Sequence, residues 1–181
     1  MARANIRKTQ CMDCPAHILS AKRNSPAIGG IQMIVGQRYC TGGKKPKQFR
    51  PKDPKTYPPS WCPKLKNPAE YRIYAYKDSQ TWILQRMLRS DGIQTSPSGY
   101  NCAVRASGHI ELTARSFWEQ LEDTSPSKLL GVPVHTDEVV EIDDGIKPWF
   151  FHICEDGVKV IPFFDAERAR KNQYEADDDE G

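Results

Sequence analysis

Residues 71–76, Tyr-Arg-Ile-Tyr-Ala-Tyr, alternate large apolar side chains with smaller or polar ones, which predicts a strand. The period then lengthens. Asp78 or Ser79 caps a helix running to about Arg89, with Trp82, Ile83, Met87 and Leu88 on one broad face, and Asp91-Gly92 stops it. Residues 93–100 are rich in Ser, Pro and Gly and read as a loop. Residues 101–112 predict a strand, or a hairpin bent near Ser107-Gly108. Thr113 caps a second helix, from Ala114 to about Glu122, that buries Phe117, Trp118 and Leu121 and ends at Ser125-Pro126. Gly-Val-Pro-Val and Val-Val-Glu-Ile, within residues 129–142, are both strand-like. Residues 149–154 and 158–163 flank Glu155-Asp156-Gly157 as a hairpin. From Ala166 the chain begins as a helix and ends Asp-Asp-Asp-Glu-Gly, an acidic tail expected to be partly disordered.

The first third has a different texture. A short strand or hairpin is plausible at residues 31–39. Residues 41–68, TGGKKPKQFRPKDPKTYPPSWCPKLKNP, are then dense in proline and in Lys and Arg. Proline fixes φ and lacks a donor, so the stretch is expected to be extended, with Phe49, Tyr57 and Trp61 set between cations. The fold class expected is α+β: a small mixed or antiparallel sheet with two main helices. The division expected is residues 1–69 as an irregular zinc-type cysteine arm, 70–165 as the α+β domain and 166–181 as the acidic tail.

Charge sharpens this division. Through Arg72 there are 15 Lys and Arg against 3 Asp and Glu, a balance of +12; the remainder holds 11 against 20, a balance of −9; together they give the net +3. A block of one sign creates a field that attracts polyanions. The basic half therefore points to nucleic acid, with Lys44, Lys45, Lys47, Arg50, Lys52 and Lys55 as phosphate-facing candidates and Trp61 as a stacking partner for bases. Composition excludes collagenous, coiled-coil and wholly disordered chains. No apolar run reaches the ~18 residues of a membrane span. The basic start lacks the apolar core of a secretory signal, so a cytoplasmic location is expected.

Six cysteines stand at 11, 14, 40, 62, 102 and 154. Cys11 and Cys14 have the spacing that turns two thiolates toward one ion, and Cys40 and Cys62 could complete a tetrahedral zinc site, with His17 a possible substitute for one of them. Binding free energy would then become folding free energy for an apolar-poor arm. Free thiols, a disulfide and an iron–sulfur cluster stay open on spacing alone. Cys102 and Cys154 fall in apolar, strand-like surroundings and read as core thiols.

Catalytic patterns are sparse. His109-Ile110-Glu111 matches half of the zinc-deaminase signature, but the downstream Pro-Cys-x-x-Cys is missing. Glu141 and Asp143 could hold a divalent metal for a nuclease, although Asp143-Asp144-Gly145 is more simply a turn. His135 and His152 read as structural. Phosphate-binding glycine loops and the hydrolase elbow are absent from the sequence.

The run Cys11-x-x-Cys14, Tyr39-Cys40-Thr41-Gly42-Gly43-Lys44-Lys45, Pro59-Ser60-Trp61-Cys62-Pro63-Lys64 and Tyr71-Arg72-Ile73-Tyr74 resembles short cysteine-motif proteins encoded by phages and mobile elements of Firmicutes. The resemblance covers about residues 8–76, and Trp61-Cys62-Pro63-Lys64 is its most specific piece. Small phage proteins of this size class include anti-CRISPR inhibitors of Cas9. The resemblance thus implies a bacterial host's cytoplasm and a Cas9–guide RNA complex as partner, with no site residues carried over. The leading expectation is a non-enzymatic protein that binds nucleic acid or a nucleoprotein, with structural zinc. The alternatives are a metal-dependent nuclease or other DNA-processing enzyme, and a protein-interaction module acting through its acidic half.

Overall fold

A computed structural model describes residues 11, 14–22, 35–54, 58–93 and 95–175. Lys55, Tyr57, residues 31–34 and residues 176–181 lie outside the described residues. The chain divides into two compact units, Arg7–Leu65 and Lys66–Gly181. The fold is α+β, with antiparallel sheets throughout.

Residues 7–65 contain a three-stranded sheet of β1 (His17–Lys22), β2 (Val35–Cys40) and β3 (Lys47–Gln48), in that order. β1 and β2 pair from His17 opposite Cys40 to Lys22 opposite Val35, and β3 adds Cys40 opposite Lys47. The first third is therefore less irregular than its prolines imply. Its strands fall largely before the proline-rich stretch, which contributes the two residues of β3 and otherwise turns, as residues without a backbone donor require. Among the described residues of this unit, Cys40 and Pro59 are buried.

Residues 66–175 carry β4 (Ala69–Tyr76), α1 (Ser79–Ser90), β5 (Cys102–Ile110), α2 (Ala114–Gln120), α3 (Pro126–Leu130), β6 (Val139–Asp143), β7 (Trp149–Cys154), β8 (Gly157–Ile161) and α4 (Ala166–Lys171). The sheet order is β5-β4-β6-β7-β8. Alternation along β4 sends Tyr71 and Ile73 to one face and Tyr74 and Tyr76 to the other. The first face packs with Val140, Ile142 and Phe151 against Ala114 and Phe117 of α2 and Leu130 of α3. The second packs Tyr74, Tyr76, Cys102 and Val139 against Ala166 and Ala169 of α4. Phe117 and Phe151 are fully buried with ring centroids 5.1 Å apart. Each such side chain contributes roughly 2–3 kcal/mol by leaving water.

Several elements differ from the sequence expectation. Of the strand or bent hairpin expected over residues 101–112, the strand is present, as β5, and the hairpin is not. The irregularity is a bulge opposite Ile73 and Tyr74, which pair with Ala106 and Val104 and leave Arg105 between them. Gly108 lies opposite Tyr71, and a Cβ there would stand 2.8 Å from the tyrosine ring, so the glycine makes room for the aromatic rather than for a turn. Ser125-Pro126 ends no helix but starts one. Pro126 occupies the first turn of α3, where its missing N–H is no loss, and Gly131 closes α3 at φ 69°. Gly-Val-Pro-Val is consequently not a strand. The apolar face of α1 exists but is not buried. Arg89, Gln85 and Thr81 lie nearer the domain, while Ile83, Leu84 and Met87 are exposed.

Candidate functional site

In residues 7–65 three separate segments meet. Cys14 donates its backbone N–H to Cys11 O (3.2 Å), and His17 donates to Cys14 O (2.8 Å), so the Cys-x-x-Cys pair forms the turn that leads into β1. Cys40 ends β2 opposite His17, and Thr41 donates through both its N–H and its hydroxyl to Ala16 O. Cys62 sits in a turn in which it donates to Pro59 O and accepts from Leu65 N–H. Gly42 marks the meeting point. A Cβ there would lie 3.4 Å from Ala16 Cβ, 3.4 Å from Pro63 Cγ and 3.6 Å from Cys40 Sγ. Lys64 Nζ stands 3.5 Å from Cys14 Sγ.

The thiols feel one another. Burial first, then negative charge on Cys62, Cys14 and Cys40, pushes the Cys11 thiol above its ordinary pKa, while Lys64 pulls it down. All six cysteines are free thiols. Among the described residues, no group of three or more His, Cys, Asp or Glu side chains is already arranged as a metal site. Zinc, with its four thiolate bonds of about 2.3 Å, would therefore have to draw these sulfurs inward. His17, considered as a substitute ligand, has its ring edge-on to Phe49 at 5.4 Å.

The cationic candidates lie on the same unit. Lys44, Lys45, Lys47, Arg50 and Lys52 are all exposed. Trp61 is half-buried: its indole Nε1 donates to Asp53 (3.2 Å), its ring meets Phe49 edge-on at 5.1 Å, and Lys47 Nζ stands over it at 4.5 Å. Its packing with Phe49 and Lys47 leaves less of the ring for a nucleic-acid base than an extended arm would.

In residues 66–175 the carboxylates considered for a nuclease have partners. Glu141, buried in the sheet, accepts from Tyr74 Oη at 2.5 Å and from Arg170 at 2.7 and 2.9 Å. Asp143 accepts from Lys66 Nζ (2.8 Å) and from Gly145 N–H (2.9 Å). Asp144 accepts from Ala114 N–H at the start of α2 and from Ile146 N–H, so the Asp143-Asp144-Gly145 turn also fixes a helix end. His109 and Glu111 are exposed, near the end of β5.

A second cluster was not legible from spacing. Asp137 is 7% exposed and left-handed at φ 72°, a conformation that aspartate tolerates better than most side chains. Arg89 grips both of its carboxylate oxygens at 2.6 Å, and His152 Nε2 lies 3.9 Å away. His152 Nδ1 is 3.3 Å from Cys154 Sγ. Burial pushes the Tyr76 hydroxyl pKa up and that of His152 down. Tyr76 Oη, Arg89 Nε and His152 Nε2 are all buried without a hydrogen-bond partner. Buried orphans are uncommon, and three around one strained aspartate mark the place. Tyr76 and Asp137 line a cleft of about 170 Å³ together with Trp82 and Glu175. The one sequence signal for it was a polar Thr136-Asp137-Glu138 run leading into a strand.

No family model, curated protein or solved structure matches the chain.

Proposed function

We propose that residues 7–65 form a zinc-stapled basic module that grips the phosphate backbone of nucleic acid, acting by binding rather than catalysis. Cys11, Cys14, Cys40 and Cys62 are the proposed ligands. The observation that carries this reading is the convergence of segments 11–17, 40–43 and 59–65 in a unit whose described residues bury little besides Cys40 and Pro59. A module whose described residues bury so little apolar surface gains from another source of folding free energy, and structural zinc supplies about 10–16 kcal/mol of apparent binding in small peptides. Four thiolates in one neighbourhood repel each other, and a dication turns that repulsion into attraction.

The cations support the second half of the reading. Lys44 and Lys45 lie on the turn between β2 and β3, Lys47 on β3, and Arg50 and Lys52 just beyond, with no acidic residue from 41 to 52. Exposed cations of this density displace counterions from a phosphate backbone. The test titrates the full-length protein with labelled single-stranded DNA, duplex DNA and RNA across a salt series. Reversal of Lys44, Lys45 and Lys52 to Glu weakens binding to every sequence, and the log–log salt slope on duplex DNA becomes shallower by about 2.7, at ~0.9 per phosphate contact. Binding that is unchanged by the triple reversal overturns the placement. Inhibition of a Cas9–guide RNA complex is the more specific form of the proposal; a target-cleavage assay with and without the protein, and with the same triple variant, tests it.

A further inference from the structure

Cys154 ends β7 opposite Gly157, where the chain turns into β8 through Glu155 and Asp156. Cys102 and Cys154 both lie in strands, yet they differ: Cys102 has no exposed surface, whereas Cys154 is half-buried. A Cβ on Gly157 would meet nothing within 4 Å, so the space beside Cys154 on the neighbouring strand is open. Strand alternation sets His152, two residues earlier, on the same face, and its Nδ1 lies 3.3 Å from Cys154 Sγ. The other acceptor near the thiol, the His152 carbonyl, is 3.8 Å away. With Nδ1 accepting from the thiol, the ring proton sits on Nε2. That nitrogen is buried, has no hydrogen-bond partner and lies 3.9 Å from Asp137 Oδ1. Its N–H is drawn to that carboxylate once the ring becomes an imidazolium. Thiol, imidazole and carboxylate thus stand in the order of a nucleophile, its base and the group that steadies the base.

We propose that Cys154 is a modification site, a thiol that exchanges with low-molecular-weight disulfides with His152 as its base. The proton on Sγ passes to His152 Nδ1 as Sγ bonds to one sulfur of the disulfide. The S–S bond of the reagent breaks, and the departing thiolate takes a proton back from Nδ1. Cys154 sulfur is oxidised, the departing sulfur is reduced, and the products are a mixed disulfide and one free thiol. Burial foremost holds the Cys154 thiol above its ordinary pKa of 9.0, so an unassisted thiolate is scarce at neutral pH and the proton needs an acceptor at hand. Four charges surround the pair: Lys159 on β8, Asp156 in its turn, Arg89 on α1 and Asp137 before β6. The largest charge effect on the thiol is that of Lys159, which lowers its pKa; the largest on the ring is that of Asp137, which raises it. Both favour the transfer. The thiolate and imidazolium it creates stand at the 3.3 Å separation of Sγ and Nδ1 and attract each other.

The test incubates the full-length protein with oxidised glutathione and follows each cysteine by peptide mass spectrometry across a pH series. Cys154 gains a glutathione that dithiothreitol removes, and gains it far faster than Cys102, whose burial makes it the internal control. The Cys154 rate is level between about pH 7 and 8, where His152 serves as the base, and climbs only at higher pH; an unassisted thiol climbs about tenfold per pH unit throughout. His152→Gln lowers the rate at neutral pH about 100-fold and restores the tenfold slope. The wild-type profile decides the matter without any change at a buried position. Cys154 modified no faster than Cys102, a wild-type rate that climbs about tenfold per unit through neutral pH, or an equal rate in folded His152→Gln overturns the proposal. Cys11, Cys14, Cys40 and Cys62 are read in other peptides, so the outcome stands apart from the nucleic-acid reading of residues 7–65.

Discussion

In residues 66–175 a five-stranded sheet buries Ile73, Tyr74, Val140, Ile142 and Phe151 under helices on its two faces. In residues 7–65 three short strands bury, among the described residues, Cys40 and Pro59. The first unit has the means to fold by removing apolar surface from water. The second has backbone ladders, a small aromatic cluster and four cysteines. The contrast teaches that order in a small basic unit is to be sought in chemistry rather than in a core. The cations differ too: among the described residues Lys44, Lys45, Arg50 and Lys52 are exposed and Lys47 stands over Trp61, whereas in residues 66–175 Lys66, Arg72, Arg89, Arg105 and Arg170 are all committed to carboxylates.

The largest expected effect breaks the two units apart. Cys62→Ser in the full chain removes one proposed ligand, and backbone amides of β1 and β2 lose hydrogen-exchange protection while those of β4 and β6 keep theirs. Equal protection in both units would show that the small unit holds itself without the thiol. The next effect is the mirror image. Phe117→Ala empties a site in the main core and costs about 3–5 kcal/mol in denaturant unfolding of residues 66–175, with the cysteine unit's metal content unaltered. A cost within experimental error would mean that the α2 face is not the core described here.

The smallest effect concerns the buried histidine. Burial foremost, with Arg89 and Lys159 adding and Asp137 and Asp156 opposing, holds the folded His152 below its ordinary pKa of 6.5. The unfolded chain binds that proton first as the pH falls. The contribution of His152 to stability is thus complete above about pH 6.5 and is lost as the pH drops from there through the folded value. His152→Gln removes this slope, measured as the difference in denaturant midpoint between mildly alkaline and mildly acidic buffer. Because burial also raises the Asp144 carboxyl, which acts with the opposite sign, the comparison is variant against wild type. Parallel slopes in the two proteins would place His152 in a setting more solvated than its 8% exposure implies.

What was legible in the sequence followed from local rules. Alternation gave β4, capping residues gave α1 and α2 (Asp78 accepts from Thr81 N–H and Thr113 from Ser116 N–H), and the Glu155-Asp156-Gly157 turn gave the last hairpin, where Gly157 has φ 124°. Pro126 was misread because a proline that ends one helix and one that begins another carry the same local signal. The placement of α1 was not legible because apolar spacing specifies a face, not what covers it; Arg89 reaches inward to an aspartate 48 positions away. The buried cluster around Asp137 was hidden for the same reason. Tyr76, Asp137 and His152 come from different strands and a loop, and a buried aspartate in a left-handed conformation has no sequence signature of its own. The Cys-x-x-Cys pair was visible because its geometry is local, while the nearness of Cys40 and Cys62 to it depends on the β1–β2 pairing and on the turn after Pro59.

The most direct test of the central claim is native mass spectrometry of the freshly purified full-length chain, with elemental analysis of the same sample. The account predicts one zinc per chain, lost on chelation and in Cys14→Ser. A metal-free chain whose residues 35–54 remain ordered, or iron in place of zinc, would contradict it.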